Sequence, residues 1–128
     1  MSERRVVNTP DAPDAIGPYS HAIVGGGLVH CSGQVGLDPA TGQIVEGGIA
    51  AQAERTLANL RAVLEAAGSG VERVLKCTVY LNDFADFTAF NEVYERTFGT
   101  IEPPARACVE VNLPMGALVE IDCVALAG

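Results

Sequence analysis

From Ile49 to Ala67 the apolar positions Ala53, Leu57, Leu60, Leu64 and Ala67 recur at alternating steps of four and three, the spacing that lines one face of an α-helix. Gln52, Arg55, Asn59 and Glu65 fall largely outside this stripe, and Gly68 is placed to end the helix. The period then changes. From Val74 to Leu81, the residues Leu75, Cys77, Val79 and Leu81 alternate with Lys76, Thr78 and Tyr80, which predicts a half-buried strand. A second helix is predicted from about Phe84 or Asp86 to Phe98. Phe87, Phe90, Tyr94 and Phe98 form its core-facing stripe, and Gly99 ends it.

Strand signals occupy both ends of the chain. Ala22-Ile23-Val24 and Leu28-Val29-His30-Cys31-Ser32 flank Gly25-Gly26-Gly27, a hairpin pattern. Gln34-Val35-Gly36-Leu37 leads into a turn at Asp38–Gly42, followed by Gln43-Ile44-Val45. Pro103–Val111 and Leu118–Ala125 have strand composition and are separated by the break Asn112-Leu113-Pro114-Met115-Gly116. Residues 1–15 are expected to form an irregular arm, since Pro10, Pro13 and Pro18 punctuate the stretch from Asn8 to Tyr19. The order strands, helix, strand, helix, strands predicts an α+β fold, about six strands in one sheet with both helices on one face. At 128 residues the chain builds one domain, 1–128, so the obvious cover for the sheet's other face is another copy of itself.

Composition supports association and narrows the partners. The chain is 48% hydrophobic and only 19% charged, a surface poorly guarded against oligomer formation. Its 8 Lys+Arg against 16 Asp+Glu give a net charge of −8, which repels phosphates and makes nucleic acid a poor partner. Cys31, Cys77, Cys108 and Cys123 are well separated and form no C-x-x-C pair, so reduced thiols in a cytoplasmic protein are expected, with neither zinc nor disulfides. The N-terminal residues lack the apolar run of a secretory signal, and no stretch has the length of a membrane span.

Most familiar catalytic patterns are missing: there is no G-x-S-x-G elbow, Walker loop, H-E-x-x-H or G-x-G-x-x-G before a helix. His21 and His30 lack metal-ligand spacing and read as structural or surface residues. What stands out is Arg106, alone within the apolar segment Pro103–Val111. A guanidinium stays charged, so it must reach solvent, pair with a carboxylate or line a pocket for an anion. Arg106, Cys108 and Glu110 share one face of their strand, and Glu120 and Asp122 share one face of theirs. A structural Arg106–Glu120 ion pair, within or between chains, and an anion site both fit these positions.

Four spaced motifs resolve the choice by resemblance. Ile16-Gly17-Pro18-Tyr19-Ser20, Cys31-Ser32-Gly33-Gln34, Pro104–Val111 and Leu113–Ile121 occur in the order found in the RidA family (reactive intermediate deaminase A, also called YjgF), which the chain resembles from about Pro10 to Ala125. The resemblance implies a chorismate-mutase-like subunit with a mixed sheet, a homotrimer with clefts between subunits, and no cofactor. It implies hydrolysis of 2-imino acids and 2-enamino acids, such as 2-aminoacrylate and 2-iminopropionate, to 2-keto acids and ammonia. Carried over by motif, Arg106 matches the carboxylate-binding arginine and Glu120 the acid that positions or activates water. Tyr19, Ser32, Gly33, Asn91 and Cys108 match substrate-pocket positions, with Gly33 and Cys108 acting through backbone groups. Three departures bear on substrate range: His21 where glutamine is frequent, Asp122-Cys123 where Glu-Ala is frequent, and a shorter loop at Asn112. The rival reading is a non-enzymatic trimer that binds small carboxylates and regulates a partner. Ribonuclease or chaperone activity, known for some family members, fits the charge poorly where RNA is concerned.

Overall fold

A computed structural model describes residues 3–128. The Gly-rich segment makes the hairpin the sequence predicts. β2 (Ala22–Gly25) and β3 (Leu28–Val35) pair with Gly25 opposite Leu28, leaving a two-residue loop. Gly26 and Gly27 have φ of 58° and 80°, the left-handed geometry that matches a tight loop to strand twist. The region expected to be an irregular arm contains a short strand, β1 (Arg5–Val7), on the outer edge of β2. Its carrier is the apolar pair Val6-Val7, of which Val7 is buried; Met1 and Ser2 lie outside the described residues.

β4 (Val74–Leu81), β5 (Ala105–Glu110) and β6 (Val119–Leu126) complete one sheet in the order β1-β2-β3-β6-β4-β5. It is mixed, as expected. β6 pairs antiparallel with both β3 and β4, whereas β5 runs parallel to β4 across the connection that holds α2. The two strands flanking the Asn112–Gly116 break are thus not neighbours, because β4 lies between them.

α1 (Gly48–Ala66) and α2 (Phe87–Phe98) contact each other and cover one face of this sheet. Beyond α1, Gly68 and Ser69 donate to the Glu65 and Leu64 carbonyls, closing the helix where the sequence places its stop. Leu60, Val63 and Leu64 of α1 and Phe90 and Phe98 of α2 are fully buried against Val79, Ile121 and Cys77. Each such side chain contributes about 1.5–3 kcal/mol, whereas the exposed pair Arg96–Glu54 between the helices, at 3.0 Å, contributes about 0–1 kcal/mol. Apolar burial holds the helices down.

Three local departures from the periodic reading have physical causes. In β4 the register slips between Val74 and Lys76, so Val74 is buried and Leu75, expected inside, is 44% exposed. Gln52 and Asn59, assigned outside the α1 stripe, are 5% and 0% exposed. They are buried because neighbouring loops need backbone partners. Asn59 donates to the Val35 and Leu37 carbonyls at 3.1 and 2.9 Å, and Gln52 Oε1 accepts from the Leu118 N–H at 2.8 Å. The predicted start of α2 is a short 3-10 turn, Phe84–Asp86, before the α-helix proper.

These contacts set a stability test. Asn59→Leu removes the side-chain donor from the Leu37 carbonyl and one of the two donors of the Val35 carbonyl, which keeps the Leu37 N–H, and is expected to cost about 1–3 kcal/mol in thermal or urea unfolding. Thr56 is equally buried, but its hydroxyl has no partner among the described residues, so the isosteric Thr56→Val is expected to be neutral or stabilising. The opposite ranking of the two variants would show that the buried polar face of α1 is not organised in this way.

Candidate functional site

Strand alternation decides where the predicted site residues go. Arg106 lies opposite Cys77 on β4, and Cys77, Val79 and Leu81 form the helix-facing row. Arg106 accordingly leans onto α2, where its Nη1 donates to Asn91 Oδ1 at 2.7 Å. Glu120 lies opposite Tyr80, in the row that includes Thr78 and Asp122 and faces away from the helices. The two residues therefore occupy opposite faces of the sheet, and an ion pair between them within one chain is ruled out by the geometry. Among the described residues the one ion pair is Arg96–Glu54.

Two clefts result. The first, of about 380 Å³, collects Tyr19, Ser32, Gly33 and Glu120 beneath a lip made by Ile16, Pro114 and Met115. The second, of about 470 Å³, lies between α2 and the start of β5 and holds Asn91, Arg106, Tyr94 and Pro104. Of the residues singled out in the sequence, four share the first cleft and two the second. Cys108, two residues after Arg106 and on the same face, is half-buried opposite Val79 and lines neither.

The first cleft is built at a break in β3. Register with β6 shifts between Cys31 and Gln34, which leaves Ser32 and Gly33 unpaired opposite β6. The Glu120 side chain lies across the space where a Gly33 side chain would be; a Cβ there would come within 2.9 Å of Glu120 Cδ. Glycine at 33 thus leaves the space that the Glu120 side chain occupies, and a larger residue would require that side chain to move. The Ser32 hydroxyl donates to the Ser20 carbonyl at 2.6 Å, tying the arm to the cleft floor. His21 is buried and structural: its Nδ1 accepts from the Thr9 N–H and its Nε2 faces the Pro13 carbonyl at 2.7 Å. His30 is exposed. On the lip, Met115 adopts a φ of 64°, a strained conformation for a residue with a side chain.

Burial raises the proton affinity of the Glu120 carboxyl above the ordinary carboxylate range, and the neighbouring charge of Asp122 raises it further. Tyr80 donates to Asp122 Oδ2 at 2.8 Å, and this bond with burial lifts the tyrosine's own pKa. The thiols are free. Cys31, Cys123 and Cys77 lie side by side across β3, β6 and β4, and Arg106 continues the row on β5. Burial pushes Cys77 up to about 11 and also raises Cys108, so both stay protonated at neutral pH. The described residues contain no group of three or more His, Cys, Asp or Glu arranged for a metal, and no helix long and apolar enough to cross a membrane.

Of the stripe expected in the core, Phe90, Tyr94 and Phe98 are buried and Phe87 is 37% exposed. Periodicity did not report that the Arg106 guanidinium lies over the rings of Phe87 and Tyr94. Their spacing from Asn91, four residues after Phe87 and three before Tyr94, is the sequence signal that places all three on one helix face.

One mixed six-stranded sheet with two helices on one face and two separate clefts defines an α+β single-domain fold. The chain belongs to the Endoribonuclease L-PSP family, whose model matches residues 9–127, and this is the Rid group that its motifs resemble. It is 49% identical over 126 residues to the RutC family protein UK114 of Drosophila melanogaster, covering 98% of this chain and 91% of that one. With the same coverage it is 45% identical to a human protein named 2-iminobutanoate/2-iminopropanoate deaminase. The crystal structure of E. coli TdcF with bound serine superposes with a TM-score of 0.91 at 37% identity, covering 97% of this chain and 99% of that one.

The Glu120 environment predicts a pH signature. A carboxyl whose folded-state pKa is raised favours folding fully only below its unfolded value, near about 4.3, and that contribution is lost as pH rises through the folded pKa. Glu120→Gln is therefore expected to melt above the wild-type protein at pH 7–8, with the gap closing below about pH 4. A gap independent of pH would contradict the raised proton affinity. Asp122→Asn should lower the Glu120 titration midpoint read by carbon NMR.

Proposed function

We propose that this chain hydrolyses small 2-imino acids and their 2-enamino tautomers, such as 2-aminoacrylate and 2-iminopropionate, to 2-keto acids and ammonia, in clefts between the subunits of a homotrimer. The observation that carries this reading is the separation of Arg106 from Glu120. In a 2-imino acid the carboxylate and the electrophilic carbon are directly bonded, so an arginine holding one and a carboxylate serving the other must converge on the same few ångströms. Opposite faces of one sheet do not allow that. The exposed edge of one copy, bearing Arg106 and Asn91, brought against the bare face of another, bearing Glu120, Tyr19, Ser32 and Gly33, does. Such packing also covers Val109 and Leu126, each 40% exposed on that face.

The chemistry follows from the groups present. Arg106 holds the carboxylate through a planar fork, which fixes the imino carbon in front of Glu120. With the imino nitrogen protonated, Glu120 takes a proton from water as the water oxygen bonds to that carbon, giving a neutral tetrahedral carbinolamine. It returns that proton to the amino nitrogen and takes the hydroxyl proton as the C–N bond breaks, so the keto acid and ammonia leave and ammonia carries the last proton away as ammonium. A carboxyl of raised proton affinity suits both steps. Imines hydrolyse unaided, so roughly 10²–10⁴ from acid–base catalysis plus positioning suffices. No step uses a metal or organic cofactor. The deaminase name of the human relative and the serine bound to TdcF, a small amino acid with a carboxylate, support this substrate class. A net charge of −8 argues against RNA as the substrate despite the family's name.

Mixing two inactive variants tests the composite site. Arg106→Lys and Glu120→Gln are each expected to reduce kcat/KM steeply with the oligomer intact, and sedimentation equilibrium should give about three times the 13.3 kDa chain mass. Refolded together in equal amounts, they should regain roughly a quarter of wild-type activity, because random trimers carry both native groups in about that share of their clefts. A mixture that stays inactive would place the site within one chain. A purely binding role would instead leave pyruvate affinity in wild-type protein with no imine turnover.

Cys108→Ala is expected to retain most of the activity, since a protonated, half-buried thiol is a poor nucleophile. Complete loss with the trimer intact would point to covalent thiol chemistry.

A further inference from the structure

Arg106 lies on an edge strand with its side chain open to solvent, where an arginine ordinarily samples many rotamers. Here it is seated. Its guanidinium carbon lies 4.7 Å from the centroid of the Tyr94 ring and 5.7 Å from that of Phe87, and Asn91 accepts one N–H at 2.7 Å. The Tyr94 ring is a firm floor. It is buried and stacked at a tilt between Phe98, at 4.7 Å, and Phe90, at 5.6 Å. Phe87 is 37% exposed and braced edge-on by Phe84 at 6.4 Å. The Tyr94 hydroxyl is buried and makes no hydrogen bond to Arg106, so the ring rather than the hydroxyl is what Arg106 uses.

We propose that Phe87 and Tyr94 are positioning residues whose π faces fix the plane of the Arg106 guanidinium for its ligand. A ring face attracts the cation without occupying an N–H, and Asn91 takes only one of five. The remaining donors keep the fork that a carboxylate needs. Seating the fork before the ligand arrives removes an ordering cost from binding. The seat explains why aromatic residues stand at both ends of the Phe87, Asn91, Tyr94 spacing, one of them partly in solvent where core packing does not call for it. The inference rests on the reading of Arg106 as the carboxylate anchor and adds what orients it.

The test compares Phe87→Leu, Tyr94→Leu and Tyr94→Phe in the full-length protein, by three readouts: nitrogen relaxation of the Arg106 Nε–H, calorimetric binding of pyruvate, and steady-state kinetics on 2-iminopropionate. Both leucine variants are expected to mobilise the Arg106 side chain and to raise the pyruvate Kd and the KM about 3- to 10-fold, with kcat changed much less. Tyr94→Phe, which keeps the ring, should restore what Tyr94→Leu loses. Phe87 is partly exposed, so Phe87→Leu keeps the test open should Tyr94→Leu fail to fold. An Arg106 as ordered in Phe87→Leu as in the wild type, or an affinity loss that tracks only the unfolded fraction, overturns the seat. If the wild-type protein turns over no imino acid while Arg106 mobility responds as expected, the deaminase reading falls and the seat stands.

Discussion

Successive residues of a β-strand point to opposite faces of the sheet, and this alternation governs the molecule. It places Val119, Ile121 and Cys123 of β6 under the helices and Glu120 and Asp122 on the bare face. On β5 it turns Arg106, Cys108 and Glu110 towards the helix side, where Glu110 accepts from the Phe84 N–H and Arg106 lies on α2. With the core satisfied on one face only, the other face is free to carry carboxylates that a closed core would expel. The closed core on one face and the carboxylates on the other have the same origin.

Much of this was legible in the sequence because it is periodic. The α1 stripe, the Gly-Gly hairpin and the shared faces of Arg106-Cys108-Glu110 and Glu120-Asp122 follow from spacing alone, and the sheet takes the α+β form that the element order implies. The failures fall where a tertiary partner overrides the local pattern. Leu75 is outside because a bulge inserts one residue at the start of β4, which no alternation rule reports. Asn59 and Gln52 are inside because the loops after β3 and before β6 lie over α1 and need donors and acceptors there. The short β1 was hidden in a proline-rich arm because its strand signal is only three residues long.

The site was legible in a different way. Periodicity alone left Arg106 between an ion pair and an anion pocket, and the family motifs supplied Tyr19, Ser32, Gly33 and Asn91. The structure gives those positions physical reasons. Gly33 leaves room for the Glu120 side chain that lies over it, and Asn91 is polar where it meets a guanidinium. The lip carries Met115 in a left-handed conformation, held between Asn82, which accepts from the Leu113 N–H, and Gln52, which accepts from that of Leu118. Strain at the mouth of a cleft, tethered on both sides, holds an apolar side chain over the polar floor.

Two carboxylates two residues apart on β6 meet different surroundings. The Asp122 charge is met by the Tyr80 hydroxyl at 2.8 Å, whereas Glu120 rests against the bare backbone of Gly33 and has no hydrogen-bond donor among the described residues. The unequal partners leave Glu120 the carboxyl of raised proton affinity, with Asp122 adding repulsion that favours the protonated form. The cost is a half-buried carboxylate that weakens the fold at neutral pH, and it is placed on the central strand, where neighbours on both sides keep the backbone from yielding. Glu120 thus stands half-buried on a strand paired on both sides, its carboxylate against the backbone of Gly33.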